Sequence, residues 1–245
     1  MPVLERGRAG GRRRALIVVA AVAALATGAF AAAYIAFFAD DSPDRLALTE
    51  QAEGPATPTR GGAVADLTGR WVVAEGSEAG YRVREKLANL PAQSDAVGRT
   101  TAVTGGLAVA AGGNGLVARD LRMEVDLTQL RSDEARRDNR IRTQGLESNR
   151  FPKATFVSTG DVPVPASAAA AQPFEAGAEG DLTLHGVTRR VRIPVRGQII
   201  GDGAEVVGSL EFPMAMFGID PPNIGGFVTV EPNATLEFKI VLRKA

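Results

Sequence analysis

The chain has 245 residues, 45% of them hydrophobic, with 28 basic and 28 acidic side chains, one histidine and no cysteine. The absence of cysteine excludes disulfides, thiolate catalysis and cysteine-based metal sites, and a single histidine excludes multi-histidine metal sites. Setting aside the five arginines and one glutamate of residues 1–39 leaves 23 basic and 27 acidic residues, a net charge of −4. This composition provides no basic surface for nucleic acid.

The first predicted element is a membrane segment at residues 15–39, which contain no charged side chain and are long enough to span a bilayer. A basic segment, residues 1–14, precedes it, and Asp40 and Asp41 follow it. By the positive-inside rule, residues 1–14 are predicted to be cytoplasmic and the rest of the chain extracytoplasmic. The alternative is a signal peptide that is cleaved, leaving a secreted or periplasmic domain. Both interpretations predict export of the main domain.

Residues 40–66 are predicted to form a flexible linker. They contain several prolines and glycines, scattered charges and no sustained hydrophobic period, a composition typical of a tether. The linker would connect the membrane segment to a domain that occupies residues 67–245.

From residue 67 onward the sequence consists mainly of short alternating segments separated by turns. Residues 121–127 are apolar at every odd position, for example, and Val191, Ile193 and Val195 alternate with polar positions that include Arg190, Arg192 and Arg196. Such alternation is typical of half-buried strands, and about eight to ten of them at even spacing predict an all-β antiparallel barrel or sandwich. The inward face is apolar in most strands, so the interior is either a packed core or an apolar cavity.

One polar segment interrupts the strands, and it predicts a helix over about residues 132–145. Ser132 begins it as a cap, and Gly145 ends it. Asp133 with Arg137, and Asp138 with Arg142, are spaced to form ion pairs on one helix face. The proline corner at residues 149–152 then returns the chain to a strand, so the helix is predicted to cover one end of the barrel.

Several segments together resemble the YceI family: residues 69–73 (GRWVV), 80–83 (GYRV), 123–127 (MEVDL), 137–142 (RDNRIR), 146–147 (LE), 150–156 (RFPKATF) and 180–188 (GDLTLHGVT). Their order and spacing match over about 180 residues, from Leu67 to Lys244. The resemblance implies an antiparallel, lipocalin-like barrel that binds a polyisoprenoid or a similar amphiphile in its lumen. Members of this family are typically exported through a signal peptide, so the longer apolar segment here suggests a membrane-held form.

Alternation along the predicted strands gives the side chains expected to line the lumen and to contact the ligand. They are Trp71, Tyr81, Val83, Leu121, Met123, Val125, Phe156, Leu182, Leu184, Val191, Ile193, Phe212, Phe238 and Ile240. Arg137 and Arg140, on the predicted helix, are candidates for contact with a phosphate or acidic headgroup.

The sequence predicts neither a catalytic group nor a cofactor. His185 precedes Gly186 in a hairpin turn, and no serine nucleophile accompanies it in a recognisable motif. The acidic residues near the predicted helix each have an arginine nearby with which to form an ion pair, as is usual for solvated structural ion pairs. A lipid hydrolase or isomerase is therefore the least favoured function.

We therefore predict a non-enzymatic, membrane-anchored extracytoplasmic barrel that carries or sequesters a lipid-like molecule. The alternative is a structural or interaction domain with a filled core. The expected partners are the lipid and, through residues 15–39, the membrane, with no nucleic acid. The sequence leaves open a homodimer, the identity of the lipid and cleavage of the N-terminal segment.

Overall fold

The structure is a computed structural model that describes residues 42–50, 66–87, 93–113, 115–170, 172–224 and 228–245. The predicted basic and membrane segments, residues 1–14 and 15–39, lie outside these ranges. Among the residues described, no helix is long and apolar enough to cross a bilayer. Ser42–Ala245 form one compact unit.

Most of the described residues from 69 onward are in β-strands, as the alternating sequence predicts. The strands within the described ranges are β1 (Gly69–Val73), β2 (Glu78–Leu87), β3 (Gln93–Thr100), β4 (Val103–Gly112), β5 (Gly115–Asp126), β6 (Lys153–Ser158), β7 (Val162–Val164), β8 (Phe174–Leu184), β9 (Val187–Ile200), β10 (Gly203–Pro213), β11 (Asn223–Ile224) and β12 (Val228–Lys244). Two α-helices, α1 (Ala135–Thr143) and α2 (Ala166–Ala169), and two 3₁₀ turns, Leu127–Gln129 and Met214–Phe217, join them.

Eight of the described strands close into an antiparallel barrel in the order β1, β4, β5, β6, β8, β9, β10 and β12. Closure occurs at β1, because Trp71 pairs with Leu107 of β4 on one side and with Lys244 of β12 on the other. The prediction of an all-β, lipocalin-like barrel is confirmed. Closure at β1 leaves no edge strand in this ring.

On the side away from β10, the long strand β12 pairs with two strands in succession. Its last residues pair with β1, and residues 228–239 pair with β2, which in turn pairs with β3. The register shifts between Val230 and Ala234, where Pro232 has no amide hydrogen to donate to the ladder. The β2–β3 hairpin therefore extends one part of the wall beyond the eight-stranded ring.

Helix α1 lies within the predicted helical segment, but its beginning differs in detail. Glu134, and not Ser132, is the N-cap, since its side chain accepts a hydrogen bond from the Arg136 amide. Ser132 instead donates from its amide and its hydroxyl to Oδ1 of Asp138, at 2.9 and 2.7 Å. These bonds replace the predicted pairing of Asp138 with Arg142, because Asp138 is buried against the segment that precedes the helix.

Residues 42–50, within the predicted linker, lie against the outer wall of the barrel; we call them the docked segment. The Ser42 hydroxyl donates to the backbone oxygen of Asp95, and Arg82 donates to the backbone oxygen of Pro43 at 2.6 Å. Further along, Gln198 donates to the backbone oxygen of Thr49 at 2.8 Å. The described part of the predicted linker is thus hydrogen-bonded to the domain, since buried polar groups of the wall need these partners.

The contact between Thr49 and Glu205 should weaken in acid. Burial raises the pKa of Glu205, but hydrogen bonds from Thr49, Gln198 and Lys239 lower it by more, so the pKa lies below its ordinary value of 4.5. Ionised Glu205 therefore stabilises docking above pH 4.5, and this contribution is lost as the pH falls through the lowered pKa. We expect the protection factor of the Thr49 amide in hydrogen exchange to fall over that range. In a Glu205→Gln variant it should be low and nearly independent of pH, and an unchanged pH profile would contradict the assignment.

Candidate functional site: an apolar cavity in the barrel

The barrel encloses a cavity of about 300 Å³ whose lining atoms are almost all apolar. This volume lies at the lower end of the range of small-molecule sites, about 300–1,000 Å³. The cavity exists because inward side chains alternate with outward ones along each strand, and the inward set here is valine, leucine, isoleucine, alanine and aromatics. The barrel is therefore not packed solid, which was one of the two interpretations that the sequence left open.

Thirteen of the fourteen side chains predicted from alternation line this cavity. They are Trp71, Tyr81, Val83, Leu121, Met123, Val125, Phe156, Leu182, Leu184, Ile193, Phe212, Phe238 and Ile240. The exception, Val191, is buried in the apolar core but is not among the lining residues. Its cross-strand partner is Gly180, and the ring of Phe156 lies over that glycine and forms the cavity wall there.

Other lining residues lie outside the clean alternating runs. Leu130 ends the 3₁₀ turn after β5, and Met214 begins the turn after β10. No strand period indicates which way such side chains point. Leu107 and Val109 of β4, in contrast, alternate and were missed only because their strand is rich in glycine and alanine.

Four aromatic rings of the lining lie over glycines of neighbouring strands. A Cβ added at any of these glycines would approach a ring atom to between 2.3 and 2.5 Å, a distance at which the ring must shift. The pairs are Tyr81 with Gly98, Phe156 with Gly180, Phe174 with Gly197, and Phe238 with Gly208. Because these glycines have no Cβ, each leaves room for a ring of the neighbouring strand.

The helical excursion contributes to one end of the cavity, as the sequence predicted. Ile141 and Arg137 of α1, and Leu146 just beyond it, line the cavity together with Ile219 and Pro222 of the loop after β10. The helix is polar elsewhere, so its few inward side chains act as a cover, while residues such as Arg136 and Asn139 are exposed.

The polar side of this end consists of Tyr81, Glu85 and Arg137, which all line the cavity. Arg137 donates to Glu85 through Nη2 at 3.2 Å and Nε at 3.4 Å, and it also pairs with Asp133. Burial lowers the pKa of Arg137, but the hydrogen bond and charge of Glu85, with Asp133, raise it by more. Arg140, the second predicted headgroup residue, borders a shallow surface groove and not the cavity.

His185 occupies the hairpin turn, with a positive φ of 51°. Its Nδ1 lies 3.2 Å from the backbone oxygen of Phe217, and Phe151 packs edge-on against its ring. Its Nε2 is 3.9 Å from the Glu147 carboxylate. These contacts join the turn to the segment after α1. No group of three His, Cys, Asp or Glu residues in the described part of the chain could hold a metal ion.

A closed antiparallel barrel around an apolar cavity defines the class of lipocalin-like barrels, which hold one small ligand in the lumen. Within that class, the chain belongs to the YceI family, since the YceI-like domain model matches residues 71–242. No match is found among curated proteins.

Solved structures with a similar fold share little sequence with this chain. A polyisoprenoid-binding domain from Saccharophagus degradans, described as implicated in plant cell wall breakdown, has a TM-score of 0.55 at 17% identity. The match covers 73% of this chain and 99% of that one. BcnA of Burkholderia cenocepacia gives 0.47 at 16% identity, covering 66% and 95%. The Campylobacter jejuni YCEI protein gives 0.47 at 10% identity, covering 59% and 82%. At 17% identity the S. degradans match supports the fold alone, and no argument rests on the two matches with TM-scores below 0.5.

Proposed function

We propose that this protein binds a polyisoprenoid or a similar lipid-like amphiphile in the barrel lumen, and that it is not an enzyme. The observation that carries the proposal is the apolar cavity of about 300 Å³ inside the closed barrel. Family membership supports it, and the name of the S. degradans relative points to the same ligand class.

The binding energy can come from the apolar wall alone. Each buried methylene is worth about 0.8 kcal/mol, so ten such groups contribute about 8 kcal/mol before the cost of ordering the chain. A specific carrier therefore needs few polar groups in its lumen.

The experiment that tests this proposal is extraction of lipid from the full-length protein, purified without detergent exchange, followed by mass spectrometry. We expect a chain lipid at close to one equivalent per protein. If no lipid is recovered and no added isoprenoid binds, the proposal is wrong, and a structural or interaction domain becomes the better interpretation.

We further propose that residues 15–39 hold the barrel at the outer face of the cell membrane, where it carries or sequesters the lipid. The uncharged run and the arginines before it support this location. N-terminal sequencing of the membrane-associated protein should give the uncleaved start of the chain. A start near residue 30 or beyond would instead favour a secreted or periplasmic protein.

A further inference from the structure

The cover at the α1 end of the cavity consists of two separate segments, which we call the α1 half (residues 141–151) and the β10 half (residues 214–222). Both halves contribute apolar side chains to the lining. They meet at Gly145, where an added Cβ would lie 3.9 Å from the Pro222 ring. Among the residues that the structure describes, no backbone hydrogen bond joins the two halves. Their relative position therefore depends on a third element.

The third element is the β8–β9 hairpin turn, in which His185 and Gly186 are the two central residues. Nδ1 of His185 lies 3.2 Å from the backbone oxygen of Phe217 in the β10 half. On its other side the ring packs against Phe151 of the α1 half, with centroids 4.6 Å apart, and Nε2 lies 3.9 Å from the Glu147 carboxylate. One side chain thus contacts both halves of the cover.

The contacts of His185 determine which ring nitrogen carries the proton. A backbone oxygen can only accept, so Nδ1 is the donor to Phe217, and Nε2 of the neutral ring is then an acceptor. This Nε2 is buried and has no hydrogen-bond partner among the described residues, and it faces another acceptor, the Glu147 carboxylate. The neutral ring therefore holds the β10 half by a hydrogen bond, but it does not hold the α1 half in that way.

A second proton on the ring changes this balance. An imidazolium donates from both nitrogens, and Nε2 reaches Glu147 once the two groups approach by about 1 Å from their separation of 3.9 Å. Arg150 pairs with the same Glu147 oxygen at 3.5 Å, but it is 75% exposed, so water screens its repulsion of the imidazolium. Arg189 of β9 donates to the backbone oxygen of Met216, and the acid of the β10 half, Asp220, is exposed.

We propose that His185 is a positioning residue that latches the cover, and that a proton on its Nε2 tightens the latch. The protonated ring is hydrogen-bonded to both halves, so the seam between Gly145 and Pro222 stays closed. The neutral ring holds the α1 half only through the packing of Phe151, so the seam opens more often and a chain lipid leaves the lumen faster. The effect on lipid exchange rests on the proposed function, whereas the latch itself does not.

The single histidine of the chain makes the latch testable by pH. Histidine is the side chain whose charge ordinarily changes between about pH 5.5 and pH 8.0, and the lowered pKa of Glu205 lies below this range. His185→Asn is the matched variant. Asparagine tolerates the positive φ of 51° at this position. Its amide can donate to Phe217, but it has no second proton to gain.

Hydrogen exchange of the full-length protein tests the latch without a ligand. The amides of Ser148, Gly218 and Ile219 are hydrogen-bonded within the two halves. We expect their protection factors to be about threefold higher at about pH 5.5 than at pH 8.0, while those of ladder amides in β8 stay equal. Glu147→Gln should reduce this dependence, and His185→Asn should abolish it. The latch is overturned if the wild type shows no such dependence, or if His185→Asn retains it.

Release of a lipid tests the consequence for exchange. Fluorescence of Trp71, the single tryptophan of the chain, reports on the cavity that it lines. Full-length protein loaded with geranylgeraniol, an uncharged probe, is mixed with excess phosphatidylcholine vesicles, and the fluorescence change gives the release rate. We expect release to be about threefold slower at about pH 5.5 than at pH 8.0, and equal at the two pH values in His185→Asn.

The two experiments separate failure of the latch from failure of the proposed function. Equal release rates in the wild type at both pH values would overturn the role of His185 in exchange and leave lipid binding intact. Failure of geranylgeraniol to bind at either pH would count against the proposed function, and hydrogen exchange would still decide whether His185 latches the cover.

Discussion

An Ala178→Phe variant should bind an isoprenoid chain about a hundredfold more weakly than the wild type, or worse. Ala178 is buried on β8 and lines the cavity, so a phenyl ring at this position enters the space that the ligand would fill. The ring displaces about six ligand carbons, each worth about 0.8 kcal/mol when buried, and some of this loss is recovered by repacking. Titration monitored by Trp71 fluorescence measures the change without adding a second tryptophan.

The matched control is Ala215→Phe, which places the same ring on an exposed residue of the turn Met214–Phe217. Its affinity should equal that of the wild type. Thermal unfolding of both variants shows whether the added ring disturbs the fold, since overpacking costs about 1–3 kcal/mol. Wild-type affinity in a folded Ala178→Phe protein would mean that the lumen is not where the lipid binds.

Truncation of Glu237 should produce the largest loss of stability among outward-facing side chains, about 3 kcal/mol in the free energy of unfolding. Glu237 lies on the outer face of β12 yet is only 2% exposed. Its carboxylate accepts from Arg99 at 2.8 and 3.0 Å and lies 3.5 Å from Nε of Arg82. Removing one partner of a buried ion pair leaves the other charges desolvated without compensation, which costs about 3–5 kcal/mol. Asp95 still pairs with Arg82, at 3.2 Å, so we expect the lower end of that range.

Urea unfolding of Glu237→Ala beside Glu175→Ala measures this effect. Glu175 is on an outward face too, but its side chain is 82% exposed, and its carboxylate lies as far as 4.0 Å from Nε of Arg196. Its truncation should therefore change the free energy of unfolding by less than about 0.5 kcal/mol. Equal effects of the two substitutions would show that the buried charges are solvated or repartnered in solution.

The same ion cluster explains why the docked segment has a defined position. Arg82 and Arg99 have further N–H donors beyond those that pair with Glu237 and Asp95. Arg82 donates to the backbone oxygen of Pro43, and Arg99 donates to that of Asp44. The segment thus completes the hydrogen bonds of the buried Arg82 and the half-buried Arg99. Release of the segment should therefore expose these arginines as well as Glu205.

Alternation in the sequence was enough to predict the barrel and most of the cavity lining. Successive side chains of a strand point to opposite faces, so one inward residue such as Met123 fixes the direction of its neighbours Leu121 and Val125. The polar helix could also be predicted from the sequence, because the four-residue spacing of its charges and the proline corner after it do not occur in the strands. These features depend on residues close together in the chain.

What the sequence by itself determined is therefore the strand pattern, the class of fold and the apolar character of the interior. Only the tertiary structure decided which apolar residues border open space, because that depends on a ring such as Phe156 meeting a glycine of another strand. It also decided that Arg137 is paired with Glu85, 52 residues away, and that the Tyr81 hydroxyl has no hydrogen-bond partner within the described ranges. Pairing and packing across the barrel are set by register and closure, and a local period carries no information about either.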